Sequence, residues 1–261
     1  MLSIQLISGN GEVIKEAYHE DRVFLGYKGV LDEGASVRII NSNPGEYLWV
    51  KVNKCLDKSL VYFKNTEINY EFPFTEEAKV AYPIGAFEGD RHYFSVEKPT
   101  EEELKQYRNV ALNPADQKNA IDVYPHAVAN VETRNESVFF ASNAIDGICV
   151  TDGHGRWPYQ SWGINKQKDA EITIHFGKKV SINKIGLFLR ADYPHDSYWT
   201  SVKLTLSTDK IINLKTTNSP EGQYFDIPTC TVEWIKLSDL IKNEDESEFP
   251  ALTQIEAWGW L

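Results

Sequence analysis

The feature that most limits the fold of this chain is a succession of short alternating segments broken by turn signals, with almost no helical periodicity. Leu2, Ile4 and Leu6 alternate with Ser3, Gln5 and Ile7; the turn-like Gly9-Asn10-Gly11 follows, and Glu12 to Tyr18 reads as the return strand of a hairpin. Arg22 to Tyr27, Val37 to Asn41, Tyr47 to Val52, Leu60 to Phe63, Ile68 to Phe72 and Arg91 to Val96 continue the pattern. Between them lie Asp32-Glu33-Gly34 and Asn43-Pro44-Gly45. Many short strands at close spacing predict an all-β, antiparallel sandwich. Trp49, Tyr62 and Tyr70 are candidates to line a groove, or to pack in the core as strand aromatics usually do.

One helix start stands out. Thr100 is an N-cap residue with Glu103 three positions on and acids throughout the first turn. It divides the 261 residues into an expected N-terminal sandwich over 1–98, a short helical connector over 99–108 and a second domain over 109–261.

Charge narrows the partners. The chain has 27 basic and 38 acidic residues, a formal net charge of −11, and the excess of acid is spread over both halves. No basic face is left to neutralise phosphates, so nucleic acid is excluded as an expected partner. The N-terminus lacks the basic start and apolar run of a secretory leader, and no stretch approaches the roughly 18 apolar residues of a membrane span. A cytoplasmic protein is expected, or a secreted one if a leader has been trimmed. The three cysteines, Cys55, Cys149 and Cys230, show no CxxC spacing and are expected to be free, buried thiols.

Chemistry concentrates in two later segments. Ala141 to Trp162 packs Asp146, Asp152, His154, Arg156, Trp157, Tyr159 and Trp162 among glycines and a proline, which argues for a loop. Arg190 to Trp199 repeats the mixture with Arg190, Asp192, His195, Asp196 and Trp199. Between and after them AEITIHF, INKIGLFLR and VKLTLS read as strands, with Ile172, Ile174, Phe176, Ile185, Leu187, Leu189, Leu204 and Leu206 facing a core.

The run of motifs from Asn109 to Leu261 resembles a known family. NVALNPA, FFASNAIDG, DAEITIHFGKKVSINKIGLFLR, TVEWIKLSDL and ALTQIEAWG resemble, in that order, the discoidin or coagulation factor V/VIII C-type domain and the carbohydrate-binding modules built on it. The resemblance implies an eight-stranded jelly roll of galactose-binding-like type. It also implies a structural calcium in the loop after Asp146-Gly147, with Asp146 and Thr151 as ligands. Where the last strand of the family carries an acid, this chain has Gln254, with Glu256 two residues later. The alternative for Asp146 is an Asx-type turn closed on its own backbone.

Sugars present an apolar face of C–H groups and a rim of hydroxyls, so their binders combine aromatic platforms with planar hydrogen-bonding groups. Trp157, Tyr159, Trp162 and Trp199 are the candidate platforms. His154, Arg156, Arg190, Asp192, His195 and Asp196 are the candidate rim partners. Trp162 and Trp199 each border a strand and could instead be core lids, and Arg190 with Asp192 could be an ordering salt bridge. The expected function is non-catalytic carbohydrate binding by loops at one end of the second domain. A protein-interaction module is the alternative, since exposed Trp and Tyr suit protein recognition. A metal-dependent carbohydrate-active enzyme built on His154, Asp192, His195 and Asp196 ranks lower, because no HExxH, GxSxG or paired-carboxylate signature is present. The acidic balance disfavours a membrane partner.

Overall fold

A computed structural model describes residues 1–153, 155–191 and 197–261. The first strands follow the sequence pattern: β1 (Leu2–Ile7), β2 (Val13–His19), β3 (Arg22–Lys28), β4 (Ser36–Asn41), β5 (Glu46–Lys51), β6 (Ser59–Phe63), β7 (Glu67–Glu71) and β8 (Arg91–Glu97). They form one sheet in the order β2-β1-β4-β7 and another containing β6-β5-β8-β3. Inward residues of both, among them Leu2, Ile4, Leu6, Val23, Leu25, Val37, Leu48, Phe63 and Phe94, share one core. Ile7 is buried beside Leu6 despite the alternation, because the pairing with β2 slips by a bulge between those two residues.

Among the described residues, two single-turn α-helices and three short 3-10 helices interrupt the strands. The expected start at Thr100 is present as α2 (Glu101–Leu104), with Thr100 and Glu103 closing a reciprocal capping box. The other α-helix, α1 (Glu76–Lys79), is capped by Thr75 and was not foreseen, since it is too short to show a helical period.

The second half is also β: β9 (Arg108–Asn109), β10 (Val123–Tyr124), β11 (His126–Ala129), β12 (Trp162–Gly163), β13 (Ile172–Arg190), β14 (Trp199–Leu206), β15 (Ile211–Lys215), β16 (Gln223–Lys242) and β17 (Ala251–Trp260). The central order is β12-β17-β13-β16-β14-β15, with β11 added to β13 and β9 to β17. The segments AEITIHF and INKIGLFLR are one strand, not two. Gly177, at a φ of +73°, lets the chain turn between them, and the β13–β16 pairing shifts register between His175 and Val180 and again between Ile182 and Lys184. Long strands bent at bulges carry one sheet into the next, which folds the ladder into a jelly-roll sandwich. Ile172, Ile174, Phe176, Ile185, Leu187, Leu189, Leu204 and Leu206 all lie in its core.

The two halves are stitched together. Val123 and Tyr124 of β10 pair with Phe63 and Tyr62, adding a strand to the first sandwich. On the other sheet, the Gln117 amide accepts from the Glu71 N–H at 3.2 Å and donates to the Glu71 carbonyl at 2.7 Å. It thereby satisfies backbone groups on the edge strand β7. The bend at Gly177 faces this seam. A Cβ there would stand 2.3 Å from the Tyr124 ring and 2.9 Å from the Tyr62 ring.

Gly177→Ala is therefore expected to lower stability by about 1–3 kcal/mol through overpacking on top of a left-handed backbone. Urea unfolding should show the midpoint fall; an unchanged midpoint would mean that the seam yields freely.

Candidate functional site

The site is built around Arg190, the last residue of β13, which pairs with Ala251 at the start of β17. Its side chain is largely buried. The guanidinium carbon lies 5.9 Å from the centre of the Phe139 ring and 5.9 Å from that of Tyr159, within the range of cation–π attraction. Two loops, one before β12 on each side of the Asp146 turn, thus converge on one cation. Beside it opens a cavity of about 270 Å³ lined by Thr133, Arg134, Phe139, Gly163, Arg190 and Phe249, among others.

The rim carries more planar and aromatic groups. Arg134 holds Glu136 in a two-pronged pair, with Nε to Oε1 at 2.6 Å and Nη2 to Oε2 at 2.7 Å, and lies over Phe139 at 5.5 Å. That pairing holds the Glu136 carboxyl below its ordinary value and raises Arg134. Lys166 reaches over the Phe249 ring at 4.8 Å while paired with Glu248 at 2.7 Å. Burial pushes the Tyr159 phenol up, and the Arg190 charge opposes that shift.

The loop that presents Arg134 and Phe139 is held in an uncommon shape. Arg134 and Asn135 sit at φ values of 51° and 55°, a region that asparagine tolerates and arginine rarely enters. The first sandwich helps to hold it: the Ser137 N–H donates to the Glu77 carboxylate and the Ser137 hydroxyl to the Glu77 carbonyl. Asn143 Nδ2 donates to the Ser137 carbonyl at 2.9 Å. Backbone held this far from its preference is typical of sites where a side chain must be aimed.

Of the residues singled out from sequence, Arg190 and Tyr159 meet directly. Trp157 is 37% exposed and follows the same loop. Arg156 lies in solvent, with its guanidinium near the Asp152 carboxylate at 3.8 Å and donating to the Asp152 carbonyl at 3.0 Å. His154, Asp192, His195 and Asp196 lie outside the described residues. Two platforms are corrected: Trp162 and Trp199 are fully buried core residues, packed on each other with ring centres 6.2 Å apart, and offer no face to a ligand. Trp162 sits in β12 with its indole N–H on the Val131 carbonyl at 2.9 Å. Thr133, Arg134, Phe139 and Phe249 were not foreseen. The aromatic pair Phe139-Phe140 close after Arg134 was the available signal. The cysteines are free, as expected, but none is buried: Cys55 is exposed and the other two are half-buried.

The Asp146 loop lies beneath this end. Asp146 Oδ1 accepts from the Ile148 N–H at 2.7 Å, an Asx-type turn, and Oδ2 is 3.5 Å from Gln160 Nε2. Burial pushes the Asp146 carboxyl up to about 8. Gln254 Oε1 accepts from the Gly147 N–H at 3.2 Å, and its fully buried Nε2 has no hydrogen-bond partner among the described residues. Thr151 Oγ1 accepts from the Gly153 N–H at 3.3 Å. Glu256 is turned elsewhere, accepting from the Trp258 indole N–H at 2.7 Å.

Similar solved structures include carbohydrate-binding modules. A chitosan-binding module from a chitosanase/glucanase of Paenibacillus sp. IK-5 is 17% identical with a TM-score of 0.41, over 58% of this chain and 99% of that one. The lectin domain of lectinolysin, solved with Lewis b antigen, is 15% identical with a TM-score of 0.45, over 59% and 98%. A module from Clostridium perfringens, solved with GalNAc-β-1,3-galactose, is 19% identical with a TM-score of 0.39, over 50% and 92%. At these identities and TM-scores the likeness assigns no ligand to this chain. No family model and no curated protein matches the chain.

Two outcomes follow from the placements. Trp162→Ala should cost about 3–5 kcal/mol in chemical denaturation, as large core deletions do, whereas Trp157→Ala should leave stability nearly unchanged; equal losses would contradict the assignment of core and surface. For Asp146, the folded chain retains a proton that the unfolded chain releases above about pH 4. Its contribution is complete below that value and is lost as pH rises towards about 8. In chelator, stability should therefore fall across this window, and Asp146→Asn should flatten the slope.

Proposed function

We propose that the chain binds carbohydrate without transforming it, at the Arg190 end of the second sandwich. The observation that carries the reading is a buried guanidinium set between two aromatic rings and opening on a small cavity. A guanidinium offers planar donors to vicinal hydroxyls, and the Phe139, Tyr159 and Phe249 rings offer apolar faces to sugar C–H groups. Trp157 and Arg156 join the reading as residues of the same loop as Tyr159. His154, Asp192, His195 and Asp196 belong to the reading by sequence alone.

The chemistry of the Asp146 loop supports a second part of the proposal, a calcium ion held by Asp146 and Thr151 with the Gln254 amide oxygen. These are hard oxygen donors, two from the irregular loop and one from strand β17, the kind calcium takes, and a cation would offset the desolvation of Asp146. Glu256 is left out of this set by its bond to Trp258. With one carboxylate the site is expected to be weak.

Calorimetry against a panel of oligosaccharides, with and without chelator, tests both parts. Binding is expected near the millimolar range, about −4 kcal/mol. Trp157→Ala should weaken it by removing a platform, and Arg190→Ala by about tenfold or more, through loss of charge-assisted hydrogen bonds. Calcium should raise the melting temperature of the native chain and not that of Asp146→Asn. Absence of binding to every sugar in the panel would overturn the first part, and an unchanged melting temperature the second.

A further inference from the structure

A second concave site lies far from Arg190 in sequence, in the seam between the two sandwiches. It is a cleft of about 300 Å³ whose lining includes Tyr47, Trp49 and Lys58 from the first sandwich and Arg108, Tyr124 and Trp258 from the second half. Its walls are aromatic. Its charge is positive, in a chain whose net charge is −11.

The cations are placed for a ligand. Lys58 Nζ lies 4.6 Å from the centre of the Trp49 ring and the Arg108 guanidinium 5.5 Å from it. Lys178 Nζ stands 5.3 Å from the Tyr47 ring and 5.4 Å from the Tyr62 ring. Among the described residues no carboxylate forms an ion pair with Lys58, Lys178 or Arg108 within 4.0 Å. The nearby acid, Glu103, is already engaged by the Thr100 backbone N–H at 2.8 Å and the Trp49 indole N–H at 3.1 Å. These contacts and the neighbouring Lys58 hold its carboxyl below the ordinary value. Arg108 donates to the Glu103 and Gln106 carbonyls, which aims its guanidinium without neutralising it.

An independent observation concerns Tyr47. Its hydroxyl is buried and has no hydrogen-bond partner among the described residues, although buried hydroxyls are nearly always paired. An aromatic-walled cleft that holds cations without a close ion pair and a phenol unpartnered among the described residues matches a ring that carries both hydroxyls and an anionic group.

We propose that this cleft binds an acidic sugar residue of the uronate type, its carboxylate meeting Lys58 and Arg108 and its hydroxyls meeting Tyr47. The site is separate from the one at Arg190 and does not rest on it. Glucuronate is the probe, and the readout is the indole N–H resonance of Trp49 in the full chain, assigned with Trp49→Phe. Glucuronate should shift that resonance in a saturable way. Lys58→Gln should weaken the response by about tenfold, the loss expected for one charge-assisted contact, and Tyr47→Phe should weaken it without lowering the melting temperature. Neither variant should change binding of neutral oligosaccharides at the Arg190 end, so failure at one site is distinguishable from failure at the other. The proposal is overturned if glucuronate leaves the Trp49 resonance unmoved, if glucose or benzoate shifts it at concentrations as low, or if Lys58→Gln responds like the native chain.

Discussion

The side chain of Asn113 is the point on which the two halves of the molecule depend. It is fully buried and hydrogen-bonded through both its oxygen and its nitrogen. Its Oδ1 accepts from the Ser59 hydroxyl at 3.1 Å and from the Ala115 N–H at 3.2 Å, and its Nδ2 donates to the Pro125 carbonyl at 2.8 Å. Its backbone N–H donates to the Ile145 carbonyl at 2.8 Å. One amide therefore ties strand β6, the crossing segment that leads to β10, and the turn that carries Asp146. A buried amide with all its partners fixes geometry, and a buried amide that loses one pays the full desolvation of the group left behind.

From that point the end that carries the candidate site is built outward. The crossing segment completes both sheets of the first sandwich, through β10 on one side and Gln117 on the other. Asp116, in the same segment, is buried against His126 at 2.7 Å and accepts from the Ala127 N–H, which locks the start of β11. Burial raises the Asp116 carboxyl, while His126 is raised by its carboxylate partner against the opposing effect of its own burial. The two side chains form a largely buried hydrogen-bonded pair at this joint. The first sandwich then reaches the rim directly, since Glu77 in α1 holds the Ser137 turn. Its role in the account is to buttress the loop that aims Arg134 and Phe139.

Much of the fold was legible because strands announce themselves by period and turns by glycine, proline and asparagine. The first eight strands lie within a residue or two of their expected bounds for that reason. The fusion of two strands into β13 was not legible, because Gly177-Lys178-Lys179 reads as a turn and only the pairing with β16 makes it a bend. At the candidate site, Arg190 and Tyr159, both singled out by residue type, come together in the structure. Trp162 and Trp199 were misread because a tryptophan beside a loop looks the same in sequence whether its ring faces the core or the solvent. Their burial is decided by the strands they begin. Phe249 was missed because it gains meaning only when β17 pairs Ala251 with Arg190, a contact across sixty residues of chain.

The central claim is that the cavity beside Arg190 holds a sugar. The most direct measurement is a crystal structure of the chain with a bound oligosaccharide taken from the calorimetric panel. The account predicts a ring packed on the aromatic side chains of that cavity, with hydroxyls hydrogen-bonded to the Arg190 guanidinium. A sugar bound only elsewhere on the molecule, with the Arg190 cavity untouched, would contradict it.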